Sequence, residues 1–290
     1  MVVKNKRWLI GGVLIVAVAA FVSLSLLPLL GTTIDRRPSS EIQANAAQGA
    51  SGDANQQAEL ETRAKGYDLV LQREPDNQTA LRGLVEARIQ LGDLAGVIEP
   101  LEHLAELNPE VTDFKVLLGQ TKYQVGDLEG SAQAYRNVLT ASPGNIDALR
   151  GLVALLMTQK RPQAAVGLLQ DTLNTANQAN EIQAGSIDVT SVQLLLGQVY
   201  AEEERYEEAL TTYEEAIKGS QQDFRPVLAK ALVLQQQGKN EEAQPLFANA
   251  AALAPDQFKD QIQQLASVSP SPPTTTESSA AAESVEGASP

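Results

Sequence analysis

Residues 189–222 read VTSVQLLLGQVYAEEERYEEALTTYEEAIKGSQQ, and this stretch decides the fold of the chain. Apolar residues recur at helical spacing on both sides of an acidic run, Glu202-Glu203-Glu204, which predicts two amphipathic helices joined by a turn. Gly197 lies on the first predicted helix and Ala209 on the second. Two antiparallel helices can cross closely where such small residues meet, so the stretch predicts a compact helical hairpin.

The same pattern recurs along the chain with a period of 34 residues. Pro75, Pro109 and Pro143 are 34 residues apart, and Gln221 and Pro255 keep the same interval. Such a period is typical of paired-helix repeats, because proline cannot continue a helix and sets the turn into the next unit. A single hairpin cannot bury its apolar stripe alone, so we expect the units to stack around a continuous core.

The small and large residues of 189–222 resemble those of tetratricopeptide repeats, and the residues that carry the resemblance are Leu196, Gly197, Tyr200, Ala209, Tyr213 and Ala216. The resemblance implies an all-α fold, a right-handed superhelix of stacked antiparallel helix pairs. The predicted repeat domain covers residues 56–266, with a capping helix at 57–74 and a closing helix at 256–266. Five full units are predicted at residues 78–110, 111–144, 145–177, 189–222 and 223–255.

An insertion interrupts the period between the third and the fourth unit. About 12 extra residues, 178–189, lie between them. One interpretation is a lengthened turn or longer helix ends, which a helical repeat tolerates. The other is a loop that contacts a partner protein, because long loops in compact arrays are uncommon and often functional.

Composition and charge exclude several kinds of function. The 290 residues include no cysteine, which excludes disulfides, thiolate zinc sites and a cysteine nucleophile. The net charge of −14 argues against nucleic-acid binding, because phosphates repel an acidic surface. His103 is the only histidine, and no nucleotide-binding or nucleophile-elbow motif occurs. We therefore predict no enzyme activity, no metal and no cofactor.

The N-terminal region predicts a membrane anchor. Residues 8–30 carry no charge and follow a basic flank at 1–7. Trp8 to Leu27 alone would span the ~30 Å hydrocarbon core of a bilayer at ~1.5 Å per residue. We predict a transmembrane helix at 8–30, with a cleaved signal peptide as the alternative. The excess of positive charge before the span predicts a cytoplasmic N-terminus and a periplasmic or lumenal repeat domain.

Polar segments lie on both sides of the predicted repeats. Residues 31–55 are rich in Ser, Ala, Gly, Gln and Asn, which predicts a flexible tether between membrane and domain. Residues 267–290 are rich in Ser, Pro and Thr and have too few apolar residues for a core. They are predicted to be a disordered tail.

Partner binding is predicted on one side of the first helix of each unit. Positions 2, 5, 9, 12 and 13 of the repeat lie opposite the core positions of that helix, and the resemblance implies that they line a concave groove. Such a groove suits a peptide or a helix of a partner protein. Arg82 and Arg150 are candidates for holding an acidic group, and Tyr123 and Met157 are candidate anchors. The predicted partner-binding residues are Arg82, Glu86, Gln120, Tyr123, Gln124, Arg150, Met157, Gln198, Glu202, Arg225 and Gln235.

The segment Asp223-Phe224-Arg225-Pro226 and the overall layout are similar to membrane-associated repeat proteins of cyanobacteria and plastids, of the "slow green" type. This similarity implies a role in building complexes of a photosynthetic membrane. We predict a membrane-tethered scaffold or assembly factor that binds other proteins. The alternatives are a self-associating protein that organises a membrane, or an enzyme with an unrecognised site.

Overall fold

The computed structural model describes residues 49–267, with side chains from residue 55 onward. These residues form twelve α-helices and no strand, in two compact units that divide between Gln221 and Gln222. The first unit contains α1 (Gly49–Leu71), α2 (Gln78–Leu91), α3 (Leu94–Leu107), α4 (Thr112–Gln124), α5 (Leu128–Ala141), α6 (Ile146–Thr158), α7 (Pro162–Ile182), α8 (Val189–Glu202) and α9 (Tyr206–Gly219). The second unit contains α10 (Phe224–Gln236), α11 (Asn240–Leu253) and α12 (Asp256–Ser267).

Ten of these helices form five hairpins at the places that the 34-residue period predicts. The pairs are α2 with α3, α4 with α5, α6 with α7, α8 with α9, and α10 with α11. In each pair we call the helix nearer the N-terminus the first helix and the other the second helix. Helix α1 packs on α2, and α12 packs on α11, as the predicted capping and closing helices should. The predicted all-α fold of stacked helix pairs is therefore confirmed.

A glycine-aspartate pair makes the turn inside each of the first two hairpins. Gly92 and Gly126 have φ angles of 74° and 88°, in the left-handed region that favours glycine. The aspartates that follow, Asp93 and Asp127, each accept a hydrogen bond from a backbone N–H three residues on, at 3.0 and 2.9 Å. Each pair thus ends one helix and caps the next, which is why it marks the middle of a repeat.

Tyrosine rings lie directly on glycines of neighbouring helices. A Cβ atom added to Gly119 would lie 2.7 Å from the ring of Tyr135, and one added to Gly151 would lie 2.2 Å from the same ring. Tyr135 is only 3% exposed, so its ring is enclosed between its own hairpin and the next. Its side chain therefore spaces the helices both within and between hairpins.

The ring of Tyr213 fills the space beside Gly197. The sequence predicts that Gly197 and Ala209 are the small residues at the crossing of this hairpin, with large residues beside it. In the structure the atoms nearest to the space beside Gly197 belong to the ring of Tyr213, which a Cβ atom would approach to 2.3 Å. Ala209 is fully buried on the second helix of the same hairpin. Glycine is needed here because a flat ring occupies the volume that a side chain would take.

The insertion after the third hairpin is partly helical. Helix α7 has 21 residues and continues to Ile182, beyond the predicted end of its unit at 177. A short connection then leads to α8, and the side chain of Asn180 holds it. Its Oδ1 accepts a hydrogen bond from the N–H of Ile187 at 2.9 Å, and its Nδ2 donates to the carbonyl of the same residue at 3.0 Å. A longer helix end therefore accounts for residues 178–182, and residues 183–188 form the connection, for which partner contact stays a prediction.

The ends of the chain extend beyond the described residues. Helix α1 begins at Gly49, inside the segment predicted as a tether at 31–55, because a helix that is already nucleated and packed adds further residues at little cost. The predicted basic flank at 1–7 and transmembrane helix at 8–30 lie outside the described residues, as does the predicted tail after Ser267. None of the helices between residues 49 and 267 combines the length and the apolar character that a bilayer crossing requires.

Replacing Gly151 by alanine should destabilise the protein, because the new methyl group would overlap the enclosed ring of Tyr135. We expect a loss of about 1–3 kcal/mol in the free energy of unfolding, as for other overpacked cores. The matched control is Gly167→Ala in α7, where a Cβ atom would meet nothing within 4 Å. That substitution should stabilise by up to about 1 kcal/mol through helix propensity alone. Urea unfolding followed by far-ultraviolet circular dichroism checks both, and equal effects of the two variants would contradict the packing role of Tyr135.

Candidate partner-binding groove

The first helices of the first unit lie side by side. Helix α4 contacts α6, and α6 contacts α8, without an intervening second helix. We call the solvent-facing sides of α2, α4, α6 and α8 the first-helix surface. The predicted partner-binding residues at positions 5, 9, 12 and 13 of these helices lie on it, so the structure brings residues from successive repeats onto one surface.

Two side-chain contacts connect neighbouring first helices across this surface. The guanidinium carbon of Arg82 lies 4.9 Å from the ring centroid of Phe114, in a cation–π arrangement between α2 and α4. The hydroxyl groups of Tyr123 and Thr158 are 3.0 Å apart, which joins α4 to α6. Arg82 and Tyr123 were predicted from the sequence, whereas Phe114 and Thr158 were not.

The spacing of Phe114 and Thr158 in the sequence indicates these two contacts. Phe114 follows Arg82 by 32 residues, and Thr158 follows Tyr123 by 35 residues. Both intervals are close to the 34-residue period, and residues one period apart lie side by side on successive first helices. Comparing side chains within two residues of one period apart would therefore have included both contacts.

The two arginines proposed for an acidic ligand have different surroundings. Arg150 is half-buried, and its Nη1 lies 2.8 Å from the Oδ1 of Asp147 within α6, so a carboxylate already pairs with it. Arg82 is exposed and has no carboxylate within ion-pair distance among residues 55–267. Arg82 is therefore the better candidate for binding an acidic group, because a ligand would not have to displace a partner.

Other predicted residues on this surface are polar and partly paired with each other. Glu86 accepts a hydrogen bond from Gln90 at 3.1 Å, and Glu202 accepts one from Gln198 at 2.9 Å. Gln120 and Met157 are half-buried, and Gln124 is exposed. The surface therefore offers amide and carboxylate groups around the aromatic contacts.

Glu202 has an unusual electrostatic environment. Burial raises the pKa of its carboxyl group above the ordinary value, because removing water disfavours the charged form. The hydrogen bond from Gln198 partly offsets this shift, and the negative charge of Glu203 adds to it. The ionised form of Glu202 is therefore less favourable in the folded protein than in the unfolded chain.

The two predicted residues of the second unit have structural partners there. Arg225 pairs with Asp223, with its Nη2 2.6 Å from the carboxylate Oδ2. The Nε2 of Gln235 donates to the carbonyl of Leu265 in α12 at 3.1 Å. A partner protein would have to displace the closing helix from the side chain of Gln235 in order to bind it.

Comparison with known proteins agrees with the helical repeats. Models of the tetratricopeptide repeat match residues 122–185 and 190–222. The chain is 23% identical over 190 residues to the protein SLOW GREEN 1, chloroplastic, of Arabidopsis thaliana, and this match covers 66% of the chain and 59% of that relative. The chain therefore spans less than two thirds of the curated relative that it matches. Both resemblances seen in the sequence are thus confirmed: the tetratricopeptide repeats and a distant relation to the slow green type.

Two solved structures are similar to the chain at low identity, and the first of them shares its fold. The crystal structure of yeast Tom70 is 17% identical, with a TM-score of 0.51 over 70% of this chain and 42% of that one. A structure of MamA from Desulfovibrio magneticus RS-1 is 16% identical, with a TM-score of 0.41 over 61% of this chain and 94% of that one. Residues 122–222 consist of tetratricopeptide repeats, and such repeats generally serve as protein-interaction scaffolds rather than as enzymes.

Replacing Glu202 by glutamine should stabilise the protein at about pH 7 and have little effect at about pH 4. The folded-state pKa of Glu202 is raised, so its contribution to stability is present below the unfolded pKa of about 4.3 and is lost as the pH rises through the folded pKa. Glutamine is neutral at both pH values, so the variant should not lose stability as the pH rises. Thermal unfolding at the two pH values checks it, with Glu106→Gln at an exposed position of α3 as the control. A pH-independent effect of Glu202→Gln would contradict this account.

Proposed function

We propose that this tetratricopeptide repeat protein is a scaffold that binds a peptide or a helical segment of a partner protein on the first-helix surface of its first unit. The observation that carries the proposal is an exposed arginine, Arg82, that an aromatic ring holds and no carboxylate neutralises. Tyr123, 38% exposed, lies on the neighbouring first helix α4. Arginine and tyrosine are enriched among the residues that contribute most to binding energy at protein interfaces.

The chemistry of this surface indicates what it would recognise. The guanidinium group of Arg82 can bind a carboxylate through two parallel hydrogen bonds, and its contact with Phe114 reduces the conformational freedom lost on binding. Gln120 and Gln124 lie on the same helix as Tyr123 and can bond to backbone groups of a ligand. The expected ligand is a peptide or helix with an acidic residue next to an aromatic or aliphatic side chain.

The same proposal includes attachment to a membrane. Residues 8–30 carry no charge and are long enough to cross a bilayer, and the basic residues before them favour a cytoplasmic N-terminus. The repeats would then lie in the periplasm or a lumen. A photosynthetic membrane is the membrane that we propose, and the distant relation to a protein named for the chloroplast supports it.

Substituting Arg82 should weaken partner binding more than substituting a comparable arginine elsewhere. We place a photo-crosslinking residue at Tyr123 in the full chain and quantify the crosslinked products in membranes, with and without Arg82→Ala. The loss of a charged hydrogen bond to a partner, worth about 1.5–3 kcal/mol, should reduce crosslinking roughly tenfold or more. Arg82→Lys should restore it only partly, because an ammonium cannot form the same paired bonds.

The matched control is Arg136→Ala on the second helix α5, where the side chain is exposed and 3.6 Å from Glu129. This variant should crosslink like the parent protein. Equal losses in the Arg82 and Arg136 variants, or crosslinking that persists without Arg82, would show that Arg82 does not bind the partner.

Removing residues 1–30 should release the protein from the membrane. The full chain should stay in the membrane pellet after alkaline carbonate washing, and the truncated chain should move to the soluble fraction, because ~20 apolar residues supply the insertion energy. Protease added to sealed vesicles reports the side of the membrane. A full chain that carbonate extracts would contradict the anchor.

A further inference from the structure

The first unit also has a cavity, which lies away from the first-helix surface. A cleft of about 570 Å³ opens between the second helices α7 and α9, with α8 below it. Helix α8 contributes Gln193, Leu196 and Tyr200, which occupy repeat positions 4, 7 and 11. These positions lie on the side of α8 opposite the predicted groove positions. We call this cavity the amide cleft, after the side chains on its walls, and its volume is typical of ligand sites.

The walls of the amide cleft carry side-chain amides that the protein does not use. Gln170, Asn174 and Asn177 follow one another at i, i+4 and i+7 on one side of α7, and Gln193 faces the cleft from α8. The side-chain amides of Asn174, Asn177 and Gln193 form no hydrogen bond with any residue between 55 and 267, whereas that of Gln170 bonds to Tyr200. Each of these amides can donate and accept hydrogen bonds at the same time. The walls are thus suited to pairing with peptide groups.

The insertion in the sequence creates part of this wall. Asn177 occupies the repeat position at which Pro75, Pro109, Pro143 and Pro255 stand in other units. Because α7 continues to Ile182, Asn177 lies on the helix in line with Asn174 instead of in a turn. The three amides of α7 extend over roughly 10 Å at ~1.5 Å per residue, which matches about three residues of an extended chain.

The floor of the amide cleft is apolar and closed. Leu196 and Tyr200 are each 5% exposed. The Nε2 of Gln170 donates to the hydroxyl of Tyr200 at 3.0 Å, and the hydroxyl of Thr212 donates to a carbonyl of its own helix at 2.8 Å. Only small or aliphatic groups of a ligand would therefore gain by contacting the floor.

The charge of the cleft restricts the charge of the peptides that it can bind. Glu215 is the only residue of its lining that carries a formal charge at neutral pH, and it is exposed. The whole chain has a net charge of −14. An acidic segment would therefore be repelled, whereas a neutral segment or one with a single basic residue would not.

We propose that the amide cleft binds an extended, uncharged or singly basic peptide segment of a partner protein. The amides of α7 and Gln193 bond to its peptide groups, and a small apolar side chain contacts the floor. Glu215 selects for a basic residue at the rim. This site does not depend on the function proposed above, because it uses none of the residues of the first-helix surface.

The test starts from random short peptides displayed on phage and selected on the full chain in detergent micelles. Selected peptides are synthesised, and their dissociation constants are measured by fluorescence anisotropy. The double variant with Asn174→Ala and Gln193→Ala should bind neutral peptides with a dissociation constant tenfold or more higher, because two amide hydrogen bonds are lost. The matched control is Gln133→Ala with Asn137→Ala on α5, an exposed amide pair whose side chains bond to each other at 2.8 Å. The control should leave the affinity unchanged.

Two further variants separate this site from the first-helix surface. Glu215→Lys should weaken singly basic peptides and spare neutral ones, whereas Arg82→Ala should leave all cleft-binding peptides unchanged. The proposal is overturned if no peptide is selected, or if every selected peptide binds the Asn174/Gln193 variant as tightly as the parent. It is also overturned if only Arg82→Ala reduces binding, a result that would support the first-helix surface instead.

Discussion

The contact between a tyrosine ring and the backbone of a neighbouring helix spaces the first unit. Tyr135 lies against Gly119 of its own hairpin and Gly151 of the next, so one side chain fixes the distance within a hairpin and between hairpins. Because protein interiors are close-packed, a methyl group at either glycine would have to displace an enclosed ring. The rings of Tyr67 and Tyr213 lie on Gly83 and Gly197 in the same way. The packing of the helices therefore depends on glycines at fixed repeat positions that face tyrosine rings at another fixed position.

This packing leaves two different surfaces for other molecules. The first helices lie side by side, which places Arg82 and Tyr123 next to residues of the following repeat. On the other side of α8, the second helices α7 and α9 border a cleft with unused amides. One surface carries an arginine suited to an acidic group, and the other is suited to a neutral or basic chain. A scaffold with two such surfaces could hold two unlike segments at once.

Helix positions followed from the sequence because local patterns encode them. The period of 34 residues located all five hairpins, and the pairs Gly92-Asp93 and Gly126-Asp127 mark turns whose geometry only a few residue types adopt. Side-chain partners were harder to infer, because they depend on contacts between repeats. Arg150 is already paired with Asp147, and Gln235 bonds to the closing helix.

The sequence by itself determined the helical class of residues 56–266, the places of the hairpins and the faces that point to the core, because apolar spacing and turn residues act over a few positions. Only the tertiary structure decided which side chains share a surface. Arg82 meets Phe114 and Tyr123 meets Thr158 because stacking brings together residues about one period apart. Likewise the amides of α7 form a wall only because α8 and α9 close a cleft beside them. Such contacts join residues distant in the chain, so no local pattern specifies them.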